Sequence, residues 1–324
     1  MKVLYYSSYG PPEKVLQVKE MDKPKPGPDQ LLIQIKATAI NDYDWSMVTG
    51  KPYLYRLMFG LSKPKKSIPG MELSGIVAEV GSNVADFHVG DAVYGDISHY
   101  GFGSFAQYIS ISANAVKKMP EGLDFFQAAA LPHAALLAQQ AFGKAQLQEG
   151  QKILINGGGG GVGTLGLQLA KLKNCYVVGV DSLAKQEKML SLGFDQVMDY
   201  QKENFTKRKE QYNLILDCKT NQSVFAYKKV LAPGGKYISI GGKLTRLISL
   251  LFWGGLFTKL SGKSYQILSL KSNNGLEQIG ELATKGQLKC QLDGPYDFEE
   301  LPRLIQYFGE GKHLGKVVVR VPND

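Results

Sequence analysis

The sequence has few cysteines and no long apolar run, and each shortage excludes a class of protein. Only three cysteines occur in 324 residues, and they form no Cys-x-x-Cys pair: Cys175, Cys218 and Cys290. Neither a disulfide framework nor a cysteine zinc site is indicated, so a reducing cytoplasm is the expected compartment. The longest apolar run, Leu247 to Phe257, is too short to span a bilayer, and we expect no transmembrane helix.

Acidic residues are in the minority, with 29 Asp and Glu against 38 Lys and Arg, a formal net charge of +9. We interpret most of this excess as ordinary solubility charge, although it also attracts anions such as dinucleotides or acidic lipid surfaces. No zinc-finger spacing and no basic stripe interleaved with aromatics is present, so we expect no nucleic-acid partner. The segment before Gly10-Pro11-Pro12 is too short for a long apolar region, and we expect no signal peptide.

The chain has two regions with different sequence patterns, which together predict an α/β fold class. From Lys2 to about Met119, short alternating or β-branched runs broken by glycine and proline predict a β-rich domain. From about Asp124, short apolar runs alternate with helical periods, which predicts βαβ units and a parallel sheet. The final run, KVVVRV, is expected to return to the first domain.

A glycine-rich segment lies between a predicted strand that ends at Asn156 and a predicted helix that opens near Gly163. Gly158, Gly160 and Gly163 satisfy the GxGxxG pattern, whose glycines allow a tight turn, a close approach to a pyrophosphate and close helix packing. The amino terminus of the helix offers free N–H groups to the phosphates. This segment therefore predicts a dinucleotide site.

The second strand of the same unit ends at Asp181, where a carboxylate would meet the adenosine ribose hydroxyls. A carboxylate there accepts hydrogen bonds from both hydroxyls and repels a 2′-phosphate, which favours NADH over NADPH. Ser182 and Lys185 favour the opposite choice, because a hydroxyl and a cation can hold a phosphate. The predicted cofactor is therefore NAD(P)H, with NADH favoured.

Eight segments spread over nearly the whole chain share one pattern: Gly10-Pro11-Pro12, NDYDW (41–45), PGMELSGIVAEVG (69–81), GDAVYG (90–95), AALPHAAL (129–136), NGGGGGVG (156–163), DQVMDY (195–200) and GKVVV (315–319). With them the sequence resembles the medium-chain dehydrogenase/reductase superfamily, specifically its zinc-free quinone oxidoreductase-like branch. The resemblance implies a GroES-like β-rich substrate domain of residues 1–123 and 266–324. It also implies an inserted Rossmann domain with a doubly wound parallel sheet, residues 124–265, and an active site in the cleft between the two.

The resemblance also implies where the cofactor lies. Val162 and Gly163 are placed at the pyrophosphate, residues 182–185 around the ribose, Tyr200 near the adenine and residues 240–242 near the nicotinamide. Ala184 replaces an arginine common in NADPH-using members, which strengthens the preference for NADH. The complete cofactor-binding set is Gly158, Gly160, Gly161, Val162, Gly163, Asp181, Ser182, Lys185, Tyr200, Ile240, Gly241 and Gly242.

Zinc-dependent relatives carry a cysteine, a His-Glu pair and a further cysteine or histidine around the catalytic metal. The matching positions here hold Asn41, Met71-Glu72 and His133. Since asparagine and methionine do not replace thiolate and imidazole on zinc, we expect no metal site. His133 is then expected to pack against a helix or to line a pocket.

Without zinc, nothing stabilises the alkoxide of a simple alcohol, and reduction of an activated acceptor is easier. Members of this branch pass hydride from the nicotinamide to a quinone or to the β-carbon of an enone, which leaves an enolate-like oxygen. We expect Asn41 to donate a hydrogen bond to that oxygen, with Ser46, Tyr53 and Tyr55 as candidate pocket residues or proton sources. Ordinary packing is the alternative role for the two tyrosines.

Two other functions stay open. The same fold can oxidise an unusual alcohol, and a non-catalytic nucleotide-binding scaffold can keep the glycines without turnover. Leu137 keeps the scaffold open, because relatives often have a threonine there that touches the nicotinamide.

An apolar segment from Leu244 to Leu260 carries Arg246 and Lys259 near its ends. In related oxidoreductases this part of the chain borders the cleft and the subunit contact, so we favour a buried cover or a homodimer surface. A peripheral membrane contact is the alternative, since aromatics beside cations suit an anionic interface. Gly254-Gly255 is expected to weaken a continuous helix, and we expect at most weak membrane contact.

Overall fold

A computed structural model describes residues 1–323 of the chain and divides them into two units. The first unit consists of Met1–His133 together with the described residues from Ser272 onward, and the second of Ala134–Lys271. The sequence placed these boundaries at 123/124 and 265/266. The helix Phe125–Ala130 falls in the first unit because it packs against the strands of that unit.

The first unit is built on one large sheet. Its strands and helices, in chain order, are β1 (Lys2–Tyr5), α1 (Pro12–Val15), β2 (Gln17–Glu20), β3 (Gln30–Ala39), α2 (Asp42–Thr49), α3 (Arg56–Phe59), β4 (Glu72–Val80), β5 (Ala92–Asp96), β6 (Tyr108–Ser112), β7 (Lys117–Lys118), α4 (Phe125–Ala130), α10 (Leu276–Thr284), β14 (Leu292–Asp297), α11 (Leu301–Gly309) and β15 (Lys316–Arg320). The sheet has the order β14-β15-β3-β4-β5-β7, with β6 on β3, while β1 and β2 form a separate antiparallel pair.

Strand β3 lies at the centre of the first unit. Leu31, Ile33 and Ile35 alternate along it and join the main apolar core, as the period of two in a strand requires. The KVVVRV segment forms β15 and pairs antiparallel with β3, with Val319 opposite Thr38. The last strand therefore returns to the first unit, as its sequence predicted.

The second unit contains α5 (Pro132–Ala145) from Ala134 onward, β8 (Lys152–Asn156), α6 (Gly161–Lys171), β9 (Tyr176–Asp181), α7 (Gln186–Ser191), β10 (Gln196–Asp199), β11 (Tyr212–Asp217), α8 (Val224–Val230), β12 (Leu231–Ser239), α9 (Leu244–Ser261) and β13 (Ser264–Ile267). Its six strands are all parallel and have the order β10-β9-β8-β11-β12-β13. Ile153 and Ile155 belong to one buried cluster and Leu154 to another, so both faces of the sheet are covered. The predicted doubly wound Rossmann sheet and the α/β class are confirmed.

Helix α9 is continuous over 18 residues, so Gly254-Gly255 does not interrupt it, contrary to the expectation from sequence. Gly254 is buried, and a Cβ there would lie 3.3 Å from the Cβ of Tyr265 in β13. Close packing against β13 therefore outweighs the helix propensity lost at glycine, about 1 kcal/mol per residue. Among residues 1–323, no helix is long and apolar enough to cross a bilayer.

Candidate active site

The glycine-rich turn joins β8 to α6 in the second unit. The chain leaves β8 at Gly157 with a φ of +90°, a left-handed conformation that glycine adopts without strain. Gly160 provides no side-chain cap for α6, whose first turn is residues 161–163, so the helix N–H groups there suit an anion. A Cβ at Gly163 would lie 2.3 Å from the carbonyl oxygen of Gly158. Gly163 therefore lets α6 pack closely against the turn, and the uncapped N–H groups of α6 fit the pyrophosphate of a dinucleotide.

Asp181 lies at the carboxyl end of β9, beside this turn. Its Oδ2 accepts a hydrogen bond from the Gly159 N–H and its Oδ1 accepts one from the Ser182 N–H, both at 2.9 Å. The Lys185 ammonium lies 3.4 Å from the same carboxylate, and both side chains are largely buried. The exposed Tyr200 donates its N–H to the Asp181 carbonyl oxygen at 3.2 Å. The structure thus brings the predicted ribose and adenine residues together.

Residues 240–242 follow β12 at the same carboxyl edge of the parallel sheet. The Thr220 hydroxyl donates to the Gly241 carbonyl oxygen at 2.6 Å, and the Thr220 N–H donates to Oδ1 of Asp217 at 2.7 Å. Asp217 is fully buried and also accepts from Nδ2 of Asn156 at 2.8 Å. Asp217 therefore ties the ends of β8 and β11 to the loop that the resemblance places near the nicotinamide.

In the first unit, Asn41 precedes α2 and belongs to a buried network of charges. Its N–H donates to Oδ2 of Asp44 at 2.8 Å, which completes a capping box at the start of α2. Its side-chain Nδ2 donates to Oε2 of Glu72 at 2.6 Å, and more weakly to the Ala39 carbonyl oxygen at 3.4 Å. The Lys316 ammonium donates to Oδ1 of Asn41 at 2.6 Å and to the Glu72 carboxylate. The Asn41 amide is thus hydrogen-bonded at both of its ends.

Glu72 connects this network to the start of α5. Its second oxygen, Oε1, accepts a hydrogen bond from the N–H of His133 at 2.5 Å. Glu72 and Lys316 are almost completely buried. Burial of these two charges is tolerated only because each faces its opposite and further hydrogen bonds satisfy the remaining atoms. The network therefore fixes the backbone from which the His133 ring projects.

The His133 ring faces a buried carboxylate. Its Nδ1 lies 2.8 Å from Oδ2 of Asp96, and the His133 side chain is 13% exposed whereas Asp96 is fully buried. Asp96 is itself held by the N–H of Ser98, which donates to Oδ1 at 2.9 Å. The geometry is that of an orienting carboxylate behind an imidazole, and it leaves Nε2 as the ring nitrogen that Asp96 does not engage.

The same contacts set the pKa values of the pair. Burial alone would lower the pKa of His133, but the hydrogen bond and the charge of Asp96 outweigh it and the pKa is raised. Glu72 raises the pKa of His133 further, and Lys316 lowers it by less than Asp96 raises it. Burial opposes ionisation of Asp96, yet His133 holds the pKa of that carboxyl below its usual value. The pair therefore favours imidazolium facing carboxylate.

Aromatic rings lie beside this pair. Tyr43 is in edge contact with His133, with ring centroids 6.5 Å apart, and in contact with Tyr55 at 6.2 Å. Phe59 and Phe102 complete what we call the aromatic cluster: Tyr43, Tyr55, Phe59 and Phe102. Flat apolar surfaces next to a polar anchor suit planar conjugated molecules.

The other candidate residues of this unit are not brought together. Tyr53 is exposed and its ring lies 4.9 Å from the Arg56 guanidinium, while Ser46 is buried on α2. Only Tyr55 joins the aromatic cluster beside His133. The four predicted catalytic residues therefore lie in different places. Asn41 belongs to the buried network, Ser46 is buried on α2, Tyr53 is at the surface, and Tyr55 is in the aromatic cluster.

The positions that match the zinc ligands of relatives do not form a ligand set. Asn41 and Glu72 already bind the Lys316 ammonium, which places a positive charge where a metal ion would need donor atoms, and Met71 offers only a thioether. Within residues 1–323, no group of three or more histidines, cysteines, aspartates and glutamates could hold a metal ion. Zinc therefore does not fit this arrangement.

Three residues of this arrangement have no role in the interpretation of the sequence: Asp96, Lys316 and Tyr43. A charged residue at the end of an otherwise apolar strand could have indicated a buried ion pair, because such a charge is costly to bury unless it is paired. No local pattern could have paired Lys316 with Asn41, since 275 positions separate them.

Both units of the chain are similar to known proteins. Residues 27–121 match the model of the alcohol dehydrogenase GroES-like domain, and residues 192–319 match that of a zinc-binding dehydrogenase. The chain is 31% identical to 2-methylene-furan-3-one reductase of Solanum lycopersicum, over 98% of this chain and 79% of that protein. It is 29% identical to the chloroplastic NADPH-dependent alkenal/one oxidoreductase of Arabidopsis thaliana, with the same coverage of 98% and 79%. The structure of quinone oxidoreductase from Coxiella burnetii matches with a TM-score of 0.85 and 26% identity, over 99% of each chain.

Proposed function

Because this chain belongs to the medium-chain dehydrogenase/reductase superfamily, in its quinone oxidoreductase and alkenal reductase-like branch, we propose that it reduces quinones or α,β-unsaturated carbonyls. NAD(P)H is the coenzyme, and the reaction uses no zinc. His133 supplies the proton. The buried pair of His133 and Asp96, 2.8 Å apart, carries this proposal.

A bound nicotinamide coenzyme supplies a hydride, and the protein must then manage the negative charge that appears on the acceptor. Hydride addition to the β-carbon of an enone leaves an enolate, and addition to a quinone leaves a hydroquinone anion. Each needs one proton. His133, held protonated by Asp96, gives a proton from Nε2, becomes neutral and is reprotonated from water.

The remaining residues of the first unit position this donor. Glu72 holds the His133 backbone at 2.5 Å, and Asn41 with Lys316 holds Glu72. We therefore propose a positioning role for Asn41 in place of direct donation to the substrate, because its Nδ2 donates to Glu72 at 2.6 Å. Tyr55, in the aromatic cluster, is proposed to contact the ring or double bond of the acceptor.

Turnover of the purified protein tests the proposal directly. We expect NADH or NADPH oxidation, followed by loss of near-ultraviolet absorbance, with at least one member of a panel of quinones, alkenals and enones. Simple alcohols with the oxidised coenzyme should give no reaction, and a chelator should not reduce the rate. Coenzyme binding without turnover across the panel would support the scaffold, and chelator-sensitive activity would contradict the zinc-free reaction.

We further propose NADH as the preferred coenzyme. The proposal rests on Asp181, whose carboxylate would repel a 2′-phosphate bound beside it, and on Ala184, which provides no phosphate partner. The Lys185 ammonium at 3.4 Å partly neutralises that carboxylate and so weakens the repulsion. The proposed preference for NADH therefore depends on Asp181.

Asp181→Asn should shift the preference toward NADPH by about tenfold or more, equivalent to about 1.4 kcal/mol. The change removes the repulsion and leaves the Lys185 ammonium beside the phosphate. The measurement is kcat/KM for each coenzyme with one acceptor. In the matched double variant Asp181→Asn with Lys185→Met, only the part of the gain that comes from the lost repulsion should remain. A wild-type protein that already prefers NADPH by tenfold would refute the preference.

A reducing compartment is part of the proposal. None of the three cysteines forms a disulfide, and Cys175 and Cys290 are buried, where burial raises the pKa of both thiols. Such thiols are inert and suit a reducing cytoplasm. Several relatives are named as chloroplastic, which is a statement about those proteins.

A further inference from the structure

Helix α9 carries large apolar side chains on the side that faces away from its own unit. Leu251, Phe252 and Leu260 are 70%, 78% and 71% exposed. We call the exposed set the apolar face of α9: Ile248, Leu251, Phe252, Trp253, Leu256 and Leu260. The buried side of the helix is formed by Leu250, Gly254 and Phe257, so the exposed side chains are not needed for packing. Contiguous exposed apolar residues of this size indicate a contact surface.

The charge around this face has one sign. Lys243 precedes the helix, Arg246 lies in its first turn and Lys259 in its last, and all three are exposed. The sequence from residue 218 to residue 276 contains nine lysines and arginines and no aspartate or glutamate. A surface of this kind attracts anions over a range of about a Debye length, 8–10 Å at moderate salt.

We propose that the apolar face of α9 docks on a bilayer with anionic headgroups, with the helix lying in the plane of the interface. The apolar side chains enter the boundary of the acyl chains, and Lys243, Arg246 and Lys259 meet the phosphates. No helix among the described residues can span a bilayer, so the contact is peripheral. This docking is independent of the proposed reaction and concerns a different part of the second unit from the coenzyme turn.

A second copy of the chain is less suited to this face than a membrane. In a two-fold contact across α9, the same face of both copies would be used, so Arg246 and Lys259 of both copies would lie at one interface. Because residues 218–276 contain no acidic side chain, this segment offers nothing to balance that repulsion. An anionic bilayer satisfies the apolar residues and the cations together.

Co-sedimentation of the full chain with vesicles tests the docking. We expect at least tenfold stronger partitioning into phosphatidylcholine vesicles that contain phosphatidylglycerol than into pure phosphatidylcholine, with loss of binding at high salt. Brominated acyl chains should quench the emission of Trp253. Leu251→Ser with Phe252→Ser should lower partitioning at least tenfold, and Arg246→Gln with Lys259→Gln should remove the dependence on phosphatidylglycerol.

Matched controls separate this surface from general hydrophobicity and charge. Val89→Ser with Leu172→Ser removes two exposed apolar side chains elsewhere, and Lys144→Gln with Lys188→Gln removes two exposed charges elsewhere. Both control pairs should partition like the wild type. Equal loss in control and α9 variants would overturn the proposal. So would a wild-type dimer, seen in analytical ultracentrifugation, that never binds vesicles and dissociates in the Leu251→Ser, Phe252→Ser variant.

Discussion

His133→Gln should lower kcat by about 10²- to 10⁴-fold, the usual contribution of a positioned general acid, equivalent to about 3–5.5 kcal/mol. Glutamine can still donate a hydrogen bond to Asp96 but has no proton to release near neutral pH. The Kd for the coenzyme should be unchanged, because the glycine-rich turn belongs to the second unit. Steady-state kinetics with the best acceptor and a coenzyme titration provide both numbers.

The pH profile distinguishes proton donation from a structural role. The donor must be protonated, so kcat should fall as pH rises through the pKa of His133, which Asp96 raises above its usual value. Asp96→Asn removes that charge, so the inflection should move to lower pH. His88→Gln, at an exposed histidine, is the control and should change neither kcat nor the profile. A His133→Gln enzyme with wild-type kcat would remove this residue from the mechanism.

Lys316→Met should lower the free energy of unfolding by about 3–5 kcal/mol, because it leaves the Glu72 carboxylate buried without its cation. Both side chains are at most 4% exposed, so water cannot replace the lost partner. Urea denaturation with matched m-values measures the change. The double variant Lys316→Met with Glu72→Gln should recover most of the loss, since it removes the uncompensated charge.

Lys285→Met is the control for this pair. Lys285 lies 3.7 Å from Glu281, but both side chains are about two-thirds exposed, and such surface pairs contribute about 0–1 kcal/mol. A Lys316→Met protein as stable as the Lys285→Met protein would show that the buried network contributes little to stability.

The second unit was predictable because its signals are local. The alternation of short apolar runs with helical periods specified the parallel sheet, and the glycines specified the tight turn between β8 and α6. Asp181 was selected as a candidate ribose contact because it ends the strand that follows the glycine-rich segment. The pairing of Asp181 with Lys185 at 3.4 Å did not follow, because sequence alone does not tell whether a lysine one helical turn away folds back or extends.

The site in the first unit was only partly predictable. Asn41 was selected, but its hydrogen bonds run to Glu72 and to Lys316, 31 and 275 positions away in the sequence. Only the pairing of strands from opposite ends of the chain brings these groups together. His133 was interpreted as a packing or pocket residue because the other zinc ligands are missing from the sequence. Its partner, Asp96, lies 37 positions earlier, and no local pattern pairs the two. The continuity of α9 was missed for a similar reason, since contact with Tyr265 decides it.

Strand β15 is synthesised after all the other strands but pairs with the early strand β3, so the first unit is completed late. The second unit is one uninterrupted stretch, Ala134–Lys271, and it emerges whole while the first unit still lacks β14, α11 and β15. Domains generally fold as units during synthesis, so the inserted unit should become native first. Until Lys316 leaves the exit tunnel, Glu72 has no ammonium to face, and the carboxyl-terminal half of β3 offers an open edge to any passing strand. We therefore expect nascent chains paused before residue 316 to expose this edge of β3 to aggregation.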